Sequence, residues 1–338
     1  MYVAGDSAAY GYARMQTEQI RIARRVIEKY PDAFAWALTA ADIRKAFSAH
    51  KVGSLLGFEG GHAIENNLDS LRSYYRQGGR YMTLTHNVTT AWADAALDSA
   101  VHGGLTRFGE EVVREMNRLG MFVDLSHVSP GTMSDALNVS QAPVIFSHSG
   151  ACGLTDHPRN VPDSILKRLA ANGGVVMVCF VPHFVSQRRA TFEREQGAAF
   201  DSIARAAGKD SAARAVADSA WVKAHPAPKA VLTDVADHID YVRKVAGVDH
   251  VGIGSDFDGI TENVVGLEDV STYPALFAEL ARRGWSDEDL KKLAGENPLR
   301  AMERMEQVAA RLQKERGAST ATIEQLDGKR PPAGKARD

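Results

Sequence analysis

The sequence predicts an α/β fold, a (β/α)8 barrel of the TIM type, on two observations. Short apolar runs rich in β-branched residues alternate with longer stretches of helical period along the 338 residues, a pattern typical of βα units and a parallel sheet. Five of these apolar runs end in an acidic residue or a histidine. Because the carboxyl ends of parallel barrel strands open onto one face, these five side chains are predicted to share one pocket.

The apolar runs predict seven strands, at residues 1–4, 52–58, 81–85, 121–125, 143–147, 174–180 and 251–255. Helices are predicted near residues 16–29, 40–50, 67–77, 107–119, 130–138, 162–172 and 231–246. Local signals support several helix ends, since Pro130 follows Ser129 at a predicted first turn and Gly120 follows a periodic stretch. A closed barrel of this type has eight strands, and the first predicted strand begins at residue 1. The barrel is therefore expected to lack its first strand in this sequence.

The spacing of the predicted strands also predicts the domain organisation. One barrel domain is expected over residues 1–312, interrupted at about residues 184–230 by a stretch rich in Ala, Arg, Asp and Glu. This stretch is interpreted as a helical insertion that serves as a lid or a contact surface. From residue 313 to residue 338 the sequence turns polar, with Pro and Gly, which predicts a mobile tail.

The composition excludes several classes of partner. A formal net charge of −2, with basic residues spread along the chain, does not favour nucleic acid or anionic lipid, so a small molecule is the expected partner. No run of eighteen apolar residues occurs, so no transmembrane segment is predicted. The compartment stays open between exported and cytoplasmic, because an export signal would lie upstream of residue 1.

Three strand-end residues have the chemistry of a metal site. Glu59 ends LLGFE, His127 ends FVDLSH and His148 ends VIFSH. Two imidazoles and one carboxylate bind catalytic zinc while leaving a position for water, and zinc makes that water a nucleophile near neutral pH. The alternative is that each histidine is a partly buried side chain bonded to a neighbouring carbonyl group.

Three further residues are candidates for catalysis or substrate binding. His86 ends YMTLTH and is predicted to polarise a carbonyl or stabilise an oxyanion; its alternative role is to order a loop. Asp256 in GSDFDG is predicted to transfer protons or to hold a substrate ammonium group, with Asp258 as its rival and a turn cap as the alternative. Arg159 in DHPRN is predicted to bind a terminal carboxylate with two hydrogen bonds, against the alternative of a surface salt bridge.

Longer motifs carry a family resemblance over about residues 1–305. They are GFEGGHAIENNLDSLRSYYRQGGRYMTLTHN with AWADA, VDLSHVS, FSHSGACGLTDHPRNVPDSIL, NGGVVMV and VGIGSDFDG, in that order. In these motifs the sequence resembles the renal (membrane) dipeptidase family, peptidase family M19, whose members are zinc-dependent hydrolases with a (β/α)8 barrel. The resemblance implies that Glu59 bridges two zinc ions and that His127 and His148 complete the ligand shell of one.

The resemblance also implies how a substrate binds. It implies a small peptide with a free carboxylate, with His86 at the scissile region and Arg159 on that carboxylate. Asp256 would then meet the amino end or the proton in transfer. Family relatives often form homodimers, so a homodimer is a further expectation.

One departure from the family bears on the metal. The family opens with a strand that ends in a His-x-Asp pair and holds the second zinc. No His-x-Asp occurs before Glu59 in this sequence, and the nearest upstream histidine, His50, is followed by Lys51 and Val52. One zinc ion with a full protein shell is therefore expected. The leading hypothesis is hydrolysis of dipeptides by a metal-bound hydroxide. The alternatives are another metal-dependent amidohydrolase, acting on lactones, phosphoesters or cyclic amides, and an inactive or binding-only protein.

Overall fold

A parallel sheet of six strands forms the centre of the structure, a computed structural model that describes residues 1–4 and 10–328. In the described part of the chain its strands lie in chain order, β3 (Leu56–Glu59), β4 (Gly79–Thr83), β5 (Phe122–Asp124), β6 (Ile145–Ser149), β7 (Val175–Val178) and β8 (Val251–Ile253). A second, smaller parallel sheet pairs β1 (Phe34–Trp36) with β2 (Val52–Ser54).

Helices separate successive strands of the central sheet and follow its last strand. Those up to β8 are α1 (Tyr12–Lys29), α2 (Ala40–Ser48), α3 (Leu68–Arg76), α4 (Arg107–Leu119), α5 (Pro130–Val139), α6 (Asp163–Asn172), α7 (Pro182–Val185), α8 (Gln187–Ala207), α9 (Ser211–Ala224) and α10 (Leu232–Ala246). After β8 come α11 (Tyr273–Arg282), α12 (Asp287–Lys291), α13 (Asn297–Glu315) and α14 (Ile323–Asp327). This alternation of parallel strands and helices confirms the predicted α/β fold.

Helix α4 illustrates how the sequence forms and buries these elements. Phe108, Val112 and Met116 are spaced four residues apart and are fully buried, so they form the apolar face of an amphipathic helix. The hydroxyl of Thr106 accepts a hydrogen bond from the backbone N–H of Gly109 and caps the first turn. The helix ends at Gly120, whose φ of 82° lies in the left-handed region that favours glycine.

Two of the predicted strands differ in detail from the observed ones. The run predicted at 52–58 forms two strands in different sheets, β2 beside β1 and β3 beside β4. The run predicted at 1–4 contributes a parallel bridge between Tyr2 and Glu59. The backbone N–H of Glu59 donates to the carbonyl of Met1 over 2.9 Å, so residues 1–3 lie along the free edge of β3.

The predicted insertion and tail can be placed on this framework, although the domain boundaries themselves stay predictions. The insertion at 184–230 contains α8 and α9, of which only Ala190 is buried. The predicted tail begins within α13 and includes α14, where Asp327 accepts a hydrogen bond of 2.6 Å from the hydroxyl of Thr106. Residues 329–338 of that prediction lie outside the described residues. Within the described ranges, every helix is too short or too polar to cross a membrane.

Candidate metal site and pocket at the strand ends

The predicted site residues meet at the carboxyl ends of the strands. Glu59 is the last residue of β3 and His148 lies within β6, while His86, His127 and Asp256 each follow the end of a strand by three residues. A cavity of about 860 Å³ opens at these ends. It is lined by five of the six predicted residues, Glu59, His86, His127, Arg159 and Asp256.

Glu59, His127 and His148 form the tightest group in this pocket. Oε1 of Glu59 lies 2.9 Å from Nε2 of His127 and 3.3 Å from Nε2 of His148. The two Nε2 atoms are 2.9 Å apart. The three donor atoms therefore converge on one point, although 89 residues (148 minus 59) separate the first from the last.

Two polar side chains orient the imidazoles toward that point. Oδ1 of Asn87 lies 3.1 Å from Nδ1 of His127, and since a carbonyl oxygen only accepts, Nδ1 is the protonated nitrogen of the neutral ring. The hydroxyl of Ser147 lies 2.7 Å from Nδ1 of His148 and is placed to accept its proton. Both Nε2 lone pairs then face each other and the carboxylate of Glu59, an arrangement that a bound cation stabilises.

The donor set fits a zinc ion in both chemistry and spacing. Ligands at about 2.0–2.1 Å from a tetrahedral ion lie about 3.3 Å from one another, close to the 2.9–3.3 Å found here. Imidazole nitrogen and carboxylate oxygen are the donors of catalytic zinc sites. Glu59, His127 and His148 are therefore the residues that would hold the ion.

His86 lies closer to this group than its predicted role requires. Glu59, His86 and His127 each offer a ligand atom within 4.8 Å of the others, and the rings of His86 and His127 have centroids 4.4 Å apart. Burial lowers the pKa of His86 to about 4, so the ring is neutral near pH 7. It can act as a further ligand or as a hydrogen-bonding partner of a substrate.

The electrostatics of Glu59 and His127 favour an anionic carboxylate and a neutral imidazole. Burial raises the pKa of Glu59, but the adjacent imidazoles of His127 and His148 outweigh it and hold the pKa well below its usual range. Burial lowers the pKa of His127 to about 2. These are the protonation states in which a carboxylate and an imidazole can coordinate a metal.

Arg159 is a buried cation in the same pocket. Its side chain is only 2% exposed, and its Nη1 has no hydrogen-bond partner in the described structure. Its Cζ lies 5.2 Å from the centre of the Phe184 ring. Burial lowers the pKa of Arg159 to about 10, which leaves it charged near pH 7. A buried guanidinium with an unused donor is suited to an anionic ligand.

Asp256 faces the pocket from the loop after β8. Its backbone has a φ of 63°, in the left-handed region, and burial raises the pKa of its carboxyl group. A side chain at Gly259 would collide with this carboxylate, because a Cβ there would lie 2.6 Å from Oδ1. Its rival Asp258 also lines the cavity, but its side chain is exposed.

Several residues of the pocket were not predicted from the sequence. Asn87 directly follows the predicted His86 and Ser147 directly precedes His148, so the strand-end motifs contained them without marking their role. His157 and His183 stand near Arg159 and have ring centroids 5.2 Å apart. Neither histidine ends a predicted strand, so strand-end position did not indicate them. His183 belongs to the short helix α7.

The insertion contributes the rim of the pocket. Arg189 of α8 lies 2.8 Å from Glu193 and 3.0 Å from Glu262, measured between Nη2 and the carboxylate oxygens. Nζ of Lys229 lies 2.5 Å from Oε1 of the same Glu262. Glu262 thus connects both ends of the insertion to the loop that carries Asp256.

Comparisons with known proteins agree with this description. A family model for membrane dipeptidase (peptidase family M19) matches residues 1–316. The probable dipeptidase PvdM from Pseudomonas aeruginosa is 26% identical with a TM-score of 0.76, and the match covers 88% of this chain and 80% of that chain. An amidohydrolase from Pseudomonas aeruginosa is also 26% identical, with a TM-score of 0.71 and coverage of 86% and 85%. A metallo peptidase from Rhodobacter sphaeroides, liganded with a phosphinate mimic of the dipeptide L-Ala-D-Ala, is 28% identical with a TM-score of 0.65 and coverage of 80% and 69%.

Proposed function

Because the chain belongs to the membrane dipeptidase family, peptidase family M19, and is a metallodipeptidase, we propose that it cleaves dipeptides at a zinc centre held by Glu59, His127 and His148. The observation that carries the proposal is the convergence of these three donor atoms within 3.3 Å of one another. When bound, zinc supplies a Lewis acid and a water molecule acidic enough to be a nucleophile near neutral pH.

Arg159 binds the carboxylate at the C-terminal end of the substrate. Its Nη1, which has no hydrogen-bond partner among the described residues, and its burial in the pocket support this role, because two parallel hydrogen bonds to a carboxylate satisfy a guanidinium. The Rhodobacter sphaeroides relative was solved with a mimic of a dipeptide, and in a dipeptide the carboxylate belongs to the residue that directly follows the scissile bond. A fixed guanidinium thus selects peptides by length.

His86 and Asp256 act on the substrate between these two anchors. His86 donates a hydrogen bond to the scissile carbonyl oxygen, which gains negative charge during attack. Asp256 accepts a proton from the attacking water and passes it to the leaving amine. Burial is the main cause of the raised pKa of this carboxyl group. A raised pKa lies closer to neutral pH, where a group can both accept and release a proton.

Zinc content and dipeptide hydrolysis test the metal centre together. The wild-type protein is expected to bind zinc and to hydrolyse L-Ala-L-Ala, whereas Glu59→Gln loses a charged ligand and lowers turnover by more than about a hundredfold. Glu303→Gln, an equivalent change at a partly exposed position on α13 outside the pocket, should match the wild type. Equal turnover and zinc content in Glu59→Gln would refute the proposed centre.

A second pair of measurements tests the substrate. Arg159→Met removes the carboxylate partner, so kcat/KM for L-Ala-L-Ala should fall by an amount equivalent to about 2–5 kcal/mol. The C-terminal amide of the same dipeptide should lose far less. Equal losses on both substrates would favour hydrolysis of lactones, phosphoesters or cyclic amides instead. The homodimer stays a prediction, to be tested by sedimentation.

A further inference from the structure

The backbone pairing between β5 and β6 is unusually sparse for two strands that lead to metal ligands. Only Asp124 and Ile145 form a register pair between them, whereas β4 and β5 share three pairs and β6 and β7 also share three. The strands leading to His127 and His148 are therefore joined at a single position of the ladder.

Side chains replace the missing ladder bonds. The backbone N–H of Ser147 donates to Oδ1 of Asp124 over 3.0 Å, and the backbone N–H of His148 donates to the hydroxyl of Ser126 over 3.0 Å. The same Oδ1 of Asp124 also accepts the backbone N–H of Ser126 over 3.0 Å. One carboxylate oxygen thus holds the residue that precedes each of the two histidines.

The hydroxyl groups of Ser126 and Ser147 complete the connection between β5 and β6. Oγ of Ser147 lies 3.4 Å from Oγ of Ser126 and 2.7 Å from Nδ1 of His148. Asp124 is fully buried, as are Ser126 and Ser149. Solvent is therefore absent around Asp124 and Ser126, while Ser147 is half-buried. Loss of the Asp124 acceptor leaves the buried N–H of Ser126 unsatisfied.

From this arrangement we infer that Asp124 is a positioning residue that sets the separation of His127 and His148 by hydrogen bonding to Ser126 and Ser147. The inference rests on the proposed function, since it takes both histidines as metal ligands. Among the described residues, Asp124 forms its hydrogen bonds with backbone N–H groups and not with the donor atoms of Glu59, His127 or His148. It acts on the backbone that carries them, in the way that outer-shell partners generally adjust metal affinity.

The two oxygens of Asp124 distinguish geometry from charge. Oδ1 accepts both backbone hydrogen bonds, whereas Oδ2 has no hydrogen-bond partner in the described structure. Asn at this position keeps the accepting oxygen and removes the charge, while Leu has a similar size and removes both. The pair of variants therefore separates the two contributions.

The test measures zinc affinity by competition with a chromophoric chelator, and the absorption spectrum of the cobalt-loaded protein as a report on ligand geometry. Asp124→Asn should bind zinc within about threefold of the wild type and keep its cobalt spectrum. Asp124→Leu should lose about ten- to a hundredfold in affinity and change the spectrum. The matched control is Glu115→Gln, an equally buried acid on α4 that pairs with Arg72 and Arg118, which should keep zinc affinity.

Three outcomes would overturn the inference. If Asp124→Leu folds and binds zinc with wild-type affinity, the hydrogen bonds of Asp124 are not needed for metal binding. If Asp124→Asn binds zinc as weakly as Asp124→Leu, the effect comes from the charge and not from the hydrogen bonds. Where Asp124→Leu does not fold, Asp124→Ala takes its place, because the smaller side chain also removes the acceptor for the N–H groups of Ser126 and Ser147. It should weaken zinc binding severalfold, and unchanged affinity would contradict the inference. Absence of zinc binding by the wild type would refute the proposed function instead.

Discussion

His127 and Asp256 have backbone conformations that are unusual for their residue types. Their φ angles are 72° and 63°, and a left-handed conformation costs about 1–3 kcal/mol for a residue other than glycine. At His127 the carbonyl accepts hydrogen bonds from the N–H of Ala96 over 2.7 Å and from the hydroxyl of Thr85 over 3.1 Å. These contacts offset the strain and direct the imidazole toward Glu59.

Substitution of Asp256 should separate stability from activity. Asn adopts the left-handed conformation readily, and it needs no buried charge, so Asp256→Asn should keep or slightly raise the melting temperature. Loss of the carboxylate should lower turnover of L-Ala-L-Ala by about a hundredfold or more. Thermal unfolding and steady-state kinetics on the same preparation measure both. Turnover at the wild-type level would remove Asp256 from the proposed chemistry.

At the level of single residues, strand-end position was the informative signal. It selected Glu59, His127 and His148 because acidic and imidazole side chains after apolar runs are visible in a sequence. Asp124 also ends an apolar run, yet the contacts of its two oxygens depend on the register between β5 and β6, which no local pattern specifies. Asn87 was missed for the same reason, since its role depends on a ring that lies 40 residues away.

At the level of elements, the insertion is attached to the pocket through charged groups. Arg189 at the start of the insertion and Lys229 at its end both contact Glu262, which lines the cavity. Apart from Ala190, α8 buries no side chain. These ion pairs therefore help to hold the start of α8 over the pocket.

Neutralising Glu262 should loosen the insertion. In Glu262→Gln we expect faster hydrogen exchange over 187–207, with exchange in β3 to β8 unchanged, because the ion pairs that are lost contribute only about 1 kcal/mol each. KM should rise severalfold while kcat changes little, since Glu262 lines the pocket from a loop and not from the strand ends that carry the proposed metal ligands. Glu195→Gln, an exposed change on the same helix, is the control. Unchanged exchange over α8 would contradict this account.

Apolar patterns predicted the strands of the central sheet and the helices between them, but not β1, the helices that follow β8 or which sheet a strand joins. The continuous run at 52–58 divides because Val52–Ser54 pairs with Phe34–Trp36, a strand of only three residues that follows Pro31 and Asp32. So short a strand gives no period to recognise. Helix ends were better specified, because caps such as Thr106 and Ser129 act within a few residues of their partners.

At the scale of the whole molecule, several histidines are buried as neutral rings. Burial lowers the pKa of His157 to about 3 and the pKa of His238 to about 4. His238 is 1% exposed, and its Nδ1 accepts the backbone N–H of Ala151 over 3.0 Å. Below the ordinary histidine pKa of 6.5, the unfolded chain binds protons that the folded chain does not, so stability falls as the pH falls from 6.5 toward 4.

Replacing His238 should make the protein less sensitive to acid. Gln can accept and donate the same kinds of hydrogen bond without titrating. Between pH 6.5 and pH 4 the free energy of unfolding should therefore decrease less for His238→Gln than for the wild type. The expected difference between the two decreases is on the order of 3 kcal/mol. Denaturant unfolding in the presence of a chelator measures this without a contribution from metal release. His225→Gln, at an exposed position, should keep the wild-type slope, and an unchanged slope in His238→Gln would contradict the prediction.

The wide separation of the pocket residues along the chain also has a consequence for biosynthesis. A nascent chain on the ribosome has no complete set of donors until residue 148 has emerged, and its rim is not formed until residue 262 follows. With Glu59, His127 and His148 as the proposed ligands, half-made chains cannot hold the ion as the complete chain does, so metal acquisition is coupled to completion of the strands that carry them. Unassembled polypeptides are thereby kept from acting on peptides before synthesis is finished.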